Sequence, residues 1–244
     1  MFDTREVALP DRLRENDQLR QLADRFRPVT MAERQLLPVA DALVPLFPGG
    51  GLRRGSIVAI AGSAGGASTS LALAVAAEAS GQGSWVALVG MPSVGLVAAA
   101  ELGVALDRLA VIDTPDRGNW SSVVAALVDA VDLVLVGPAR VRAGDARRLA
   151  ARTRERGAVL LPVGVDWPEA PDLTLTTSAT RWEGIGAGHG HLRARRVTVG
   201  AAGRRDAARP RSVELWLPAV GGGVASVTAP TVRELRPLPA VGGT

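Results

Sequence analysis

The chain of 244 residues has no lysine, no cysteine and no tyrosine, two histidines, and 3% aromatic residues. All 28 basic residues are therefore arginine, set against 24 acidic ones, and the net charge is a modest +4. The sequence pI near 11.1 mostly reports the arginine pKa. A lysine-free chain rich in Ala, Val, Gly and Arg also fits GC-rich coding, so arginine content alone says little about nucleic acid; clustering is what counts. Without cysteine there are no disulfides, no thiolate-bound zinc and no thiol chemistry. His189 and His191 sit beside glycines and make a poor metal set, so neither a metal nor a cofactor is expected. No uncharged apolar run approaches the length of a membrane-spanning helix, and residues 1–27 are charged throughout rather than basic and then apolar. The expectation is a soluble cytoplasmic protein with no membrane partner. With 47% hydrophobic residues the chain can bury one sizeable core, which fits one α/β domain with short appendages.

What is present centres on residues 55–80. A short apolar run (Ile57 to Ala61), a small-residue loop (Gly62 to Thr69) and a helix-period segment (Leu71 to Ala79) have the order strand, phosphate-type loop, helix. Against the pattern G-x-x-x-x-G-K-[ST], Ala67 stands at the second glycine and Ser68 at the lysine. The cation that would meet the β- and γ-phosphates is missing, and no other lysine exists to replace it. Gly62, Gly65, Gly66, Ser68 and Thr69 thus form a degenerate nucleotide loop. Its backbone N–H groups still suit an anion. Phosphoryl-transfer sites of this kind also take an aspartate from the end of a later strand to hold magnesium. The strand that fits is Val131 to Gly137, and its last position is Gly137. Asp132 lies five residues back, roughly 16 Å away at strand rise, too far to substitute. No catalytic residue is assigned and enzymatic activity is not expected.

Pro10 and Asp11 start a charged helix with Leu19, Leu22, Ala23 and Phe26 at helical spacing, which ends at Pro28. It is read either as a helix packed on its own domain or as an arm that docks on a partner or, by self-association, on a second subunit. Thr30 and Glu33 have capping-box spacing, and a short helix is expected over Val39 to Leu46 before the Phe47–Gly51 turn. After the loop, strands and helices alternate. Strands are expected at Trp85–Val89, Leu109–Ile112, Leu133–Val136 and Ala158–Val163, and helices at Val94–Leu102, Trp120–Ala130 and Arg140–Arg156. Single helices between strands specify a mostly parallel sheet with helices on both faces. From Leu173 the pattern changes to Leu173–Thr177, Leu192–Val199 and Val213–Leu217 with no helix between, a C-terminal antiparallel β extension. The domain reading is 1–34 as an N-terminal helical arm, 35–220 as the α/β domain, and 221–244 as an extended tail.

Two arginine clusters stand out, within 140–156 and between Arg181 and Arg211. Both admit two readings, contact with DNA phosphates or a solvated charged face. Arg193, Arg195, Arg196, Arg204 and Arg205 are the candidates in the second cluster, beside Trp182 and the histidines. Trp167, Trp182 and Trp216 are candidate partner contacts, but core packing is expected for Trp85 and, in its β-rich run, for Trp216. In the tail, Val232, Leu235 and Leu238 among prolines have the composition of a segment that orders on a partner.

These stretches resemble a family. Pro38 to Leu43 and Gly49-Gly-Gly-Leu-Arg-Arg-Gly through Gly62 look like the approach to the Walker A loop of RecA recombinases, Val131 to Gly137 like their Walker B strand, and Ala158 to Gly164 like the strand before their second DNA loop. Leu173-Thr-Leu-Thr, Arg181-Trp-Glu-Gly and His189-Gly-His-Leu-Arg-Ala-Arg-Arg-Val resemble the ImuA group of RecA-like mutasome proteins, in its actinobacterial branch. The resemblance implies a RecA-like fold over residues 35–218. It also implies an accessory role in DNA-damage-induced error-prone translesion synthesis, nucleoid-associated when DNA is damaged. The implied partners are an ImuB-like Y-family polymerase homologue and, indirectly, an error-prone C-family DNA polymerase. Ser68, Gly137 and the short Gly164–Pro171 loop depart from RecA and argue against ATP-driven filaments. A RecA-like ATPase regulating recombination and a SulA-like cell-division inhibitor are the alternatives.

Overall fold

The computed structural model describes residues 35–61, 67–113, 116, 118–186 and 189–227. The expected helix at 10–27, the capping box at Thr30 and Glu33, and the loop glycines 62, 65 and 66 lie outside the described residues. So do Val232, Leu235 and Leu238.

Strand β1 (Leu36–Leu37) pairs antiparallel with β2 (Leu52–Arg53), a small ribbon not expected from sequence. Between them the chain makes 3-10 turns, with Leu43 N–H donating to the Ala40 carbonyl at 2.7 Å and Leu46 N–H to Leu43 at 2.9 Å. This corrects the expected helix over Val39–Leu46. Pro45 sits in the first turn of the Val44–Leu46 segment and has no N–H for an α-helical ladder.

The remaining strands are β3 (Val58–Ile60), β4 (Val86–Val89), β5 (Leu109–Ile112), β6 (Leu133–Val136), β7 (Val159–Pro162), β8 (Leu173–Gly186), β9 (His189–Gly203), β10 (Arg211–Trp216) and β11 (Ala225–Ser226). Their spatial order is β5-β4-β6-β7 and β3-β8-β9-β10-β11. Parallel bridges Ile57↔Leu160 and Ile60↔Val163 join the two sets at β7 and β3. Neighbours run parallel from β5 to β8 and antiparallel from β8 to β11. The fold is therefore mixed α/β, a parallel sheet with an antiparallel extension.

The unbroken apolar runs of β4, β6 and β7 are buried at every position, as strands covered on both faces must be. Alternate side chains go to opposite faces. Val86, Leu88, Leu133, Leu135 and Leu161 join one core with α1 (Ala67–Gly81), while Val89, Val134, Val136 and Leu160 join a second. Trp120, Val124 and Val128 of α3 (Trp120–Ala130) and Ala146 and Leu149 of α4 (Ala143–Arg156) complete that second core. Helix α2 (Leu96–Glu101) contributes Ala99 to the first. Helix α4 begins three residues later than the sequence predicts and stops at Gly157, whose φ of 71° closes it in the left-handed conformation.

Only residues 173–175 of β8 pair with β3, and only 196–201 of β9 pair with β10. Beyond them the β8–β9 pair continues as a two-stranded ribbon, longer than the expected strands. The glycines that read as breakers are accommodated by register shifts; a Cβ at Gly184 (φ 113°) would lie 2.1 Å from the His191 carbonyl. Just past the expected tail boundary at 220/221, Gly223 N–H donates to the Glu101 carbonyl at 2.7 Å and β11 pairs with β10.

Candidate functional site

The first candidate lies at the C-terminal ends of the parallel strands, where β3 leads toward the degenerate loop. Ser68 and Thr69 are half-buried in the first turn of α1. Two strands away, Gly137 follows β6, and its N–H donates to the Val89 carbonyl at 2.8 Å. A Cβ on residue 137 would stand 2.3 Å from the Gly90 carbonyl oxygen and 2.7 Å from Met91 Cγ. The position expected to carry a magnesium-holding acid has no room for any side chain without moving the turn after β4.

Asp132 sits at the other end of β6. It accepts a bond from Arg54 Nη1 at 2.9 Å and from the Trp85 N–H at 3.1 Å. Asp172, at the start of β8, repeats the arrangement: its Oδ2 accepts from the Ile57 N–H at 3.0 Å, and Arg53 stands 3.8 Å from its Oδ1. In each case an Asp-Leu dipeptide opens a parallel strand, its aspartate ties the start of a neighbouring strand, and one of two consecutive arginines lies beside it. Sequence reasoning missed Arg53, Arg54 and Asp172. The signal available was the Asp-Leu that opens both strands.

The five arginines grouped from sequence do not form one surface. Arg195 is 3% exposed; its Nε donates to the Leu217 carbonyl at 2.8 Å and its guanidinium lies 4.9 Å from the Trp182 ring centre. Burial pushes its pKa down. This corrects its assignment to DNA, since a phosphate cannot reach a guanidinium facing the interior. Arg193 is exposed, and Arg196 is exposed and paired with Glu214 at 2.5 Å. Arg204 lies eight residues further, about 26 Å along an extended strand, with its guanidinium 3.8 Å from Asp172.

The basic helix carries paired charges. Arg147 meets Glu169 at 3.2 Å, Arg148 meets Asp145, and Arg152 and Arg156 converge on Asp129, with Arg152 Nε at 2.7 Å and Arg156 Nε at 3.1 Å. Of the tryptophans, Trp167 is in the second core, whereas Trp182 is 43% exposed. Trp85 is also 43% exposed, under the Arg108 guanidinium at 5.6 Å, which corrects the expectation that it is core. Among the described residues no helix is long and apolar enough to cross a membrane.

A protein of Mycobacterium tuberculosis named Uncharacterized protein Rv3395c is 45% identical to this chain over 101 residues, 40% of this chain and 48% of that protein. The match thus spans about half of that relative's length. The family model for the MT3502 N-terminal domain matches residues 45–169, which hold β2 to β7 and α1 to α4 and stop before the antiparallel extension. With just over half of its length matched, the chain belongs to the MT3502 N-terminal domain family.

Proposed function

We propose that this chain is a non-catalytic accessory protein of a DNA-damage-induced, error-prone translesion synthesis complex. In this reading its fold is RecA-like, of the ImuA type, and its nucleotide site has lost its chemistry. The observation that carries the proposal is the packing at Gly137, where the Gly90 carbonyl occupies the space a magnesium-holding carboxylate would need. Ser68 at the lysine position, in a chain without lysine, supports it from the other side of the site. Such a site has nothing to offset the charge that shifts in phosphoryl transfer. The parallel sheet continued by an antiparallel extension is compatible with the RecA-like reading.

The work of the protein is then binding. Its partners are an ImuB-like Y-family homologue and, through it, a C-family polymerase, with DNA contacted through exposed Arg193 and Arg196. The test is capture of the purified ImuB-like homologue by the full chain and by a chain lacking residues 228–244. The reading expects capture by the full chain and its loss on truncation, with the same thermal melt for both. Failure of the intact chain to capture the homologue refutes it.

A further inference from the structure

At the N-terminal ends of β3 and β8, away from Ser68 and Thr69, lies a cavity of about 220 Å³. Its floor is apolar, formed by Phe47, Val58, Leu173 and Ala207. Its rim is charged, with Arg53, Arg204 and Arg205 facing Asp172 and Asp206. The walls are close backbone approaches. A Cβ on Gly203 would stand 2.1 Å from the Asp172 carbonyl and one on Gly51 2.6 Å from the Leu37 carbonyl, while Arg204 N–H donates to the Asp172 carbonyl at 3.1 Å.

Three features of the rim point to a ligand. Arg53 and Arg204 both stand 3.8 Å from the same Asp172 oxygen, beyond hydrogen-bond length, so their donors are not saturated. The Arg205 guanidinium has no hydrogen bond or ion pair among the described residues. Arg205 is also the one non-glycine residue among them with a positive φ, 53°, a conformation that costs energy in an arginine and clusters at ligand clamps.

The chemistry of the cavity selects its occupant. Three guanidiniums against two carboxylates leave one positive charge, which suits a carboxylate better than a doubly charged phosphate. The volume is below the range of about 300–1,000 Å³ that holds drug-sized ligands, but above the roughly 150 Å³ in which an apolar cavity takes benzene. It therefore fits one aromatic or branched side chain. We propose that this cavity is a binding site for an acidic peptide segment, in which a large apolar side chain fills the floor and a neighbouring Asp or Glu is clamped by Arg205, Arg53 and Arg204. The site stands independently of the translesion reading.

The test uses the full chain and the blocked peptide acetyl-Gly-Glu-Phe-Gly-Gly-amide, which carries one carboxylate, labelled for fluorescence anisotropy. Saturable binding is expected, weakened about tenfold or more when the Glu is replaced by Gln or when Phe is replaced by Gly. Arg205→Gly is expected to weaken binding to the same degree while melting no lower than the parent, because glycine is at ease at φ 53°. Arg53→Gln provides a second variant with the guanidinium removed from the opposite wall. No saturable binding, equal binding of the Gln peptide, or unchanged affinity in both variants overturns the proposal. So does competition by a single-stranded oligonucleotide at lower concentration than the peptide, which would assign the rim to nucleic acid.

Discussion

The two ends of the parallel sheet carry opposite chemistry. At the C-terminal ends, where α/β folds usually bind ligands, the functional positions hold small residues, Ser68 and Gly137, and the space beside Gly137 is filled by backbone. At the N-terminal ends, two aspartates tie neighbouring strands and two consecutive arginines lie beside them. The difference teaches that aspartate–arginine pairs hold strand starts together at the lower end, whereas at the upper end positions 68 and 137, where the proposed reading would need a cation and an acid, carry neither.

The comparison is broken most severely by forcing an acid back into the upper end. Gly137→Asp is expected to cost about 3 kcal/mol or more, because the obstacle is the Gly90 carbonyl and not a flexible side-chain tip. Urea unfolding measures it; a variant as stable as the parent would show that the turn after β4 yields freely. At the lower end, Asp132→Ala is expected to cost about 1–2 kcal/mol, since it removes the carboxylate that accepts from both Arg54 Nη1 and the Trp85 N–H. Asp172→Ala should cost less, about 1 kcal/mol, because its arginines stand at 3.8 Å. Equal losses would mean that the arginine contacts add nothing to the backbone ties.

DNA affinity separates the two arginine groups. Arg193→Ala with Arg196→Ala is expected to weaken oligonucleotide binding a few-fold and flatten its salt dependence, whereas Arg204→Ala with Arg205→Ala leaves both unchanged. A fall in affinity from the second pair would rejoin the two groups into one surface. The smallest effect is electrostatic. Hydrogen bonding from Arg152 holds the Asp129 pKa below its ordinary 3.8. Asp129 therefore stabilises the fold above pH 3.8, and this contribution is lost as pH falls below 3.8 through the lowered value. Asp129→Asn should lower stability slightly at neutral pH and remove that part of the acid limb in melts between pH 5 and 2.

The alternation of strands and helices between residues 57 and 163 was legible because the parallel strands, even the partly exposed edge strand β5, read as unbroken apolar runs, and Leu109–Ile112, Trp120–Ala130 and Leu133–Val136 fall where the pattern places them. The β8–β9 ribbon was harder, since Gly184 and Gly186 look like breakers when the partner strand is not known. Neither the burial of Arg195 nor its distance from Arg204 could be read from a list of arginines. Its inward face follows from β9 packing Val197 and Val199 into the core at the same parity. The cavity was invisible for a related reason: its walls come from residues 36–58, 172–173 and 204–207, and only the fold brings them together. Ser68 and Gly137, by contrast, were readable as departures from a spaced motif, and the structure adds why position 137 cannot take an acid.

The central proposal, that residues 62–69 and Gly137 form a degenerate nucleotide site without chemistry, is tested most directly by magnesium-dependent ATP hydrolysis of the purified full chain, alone and with single-stranded DNA. The account predicts no turnover above a mock preparation, and none gained by Ser68→Lys. Turnover that is abolished by Thr69→Ala would contradict it.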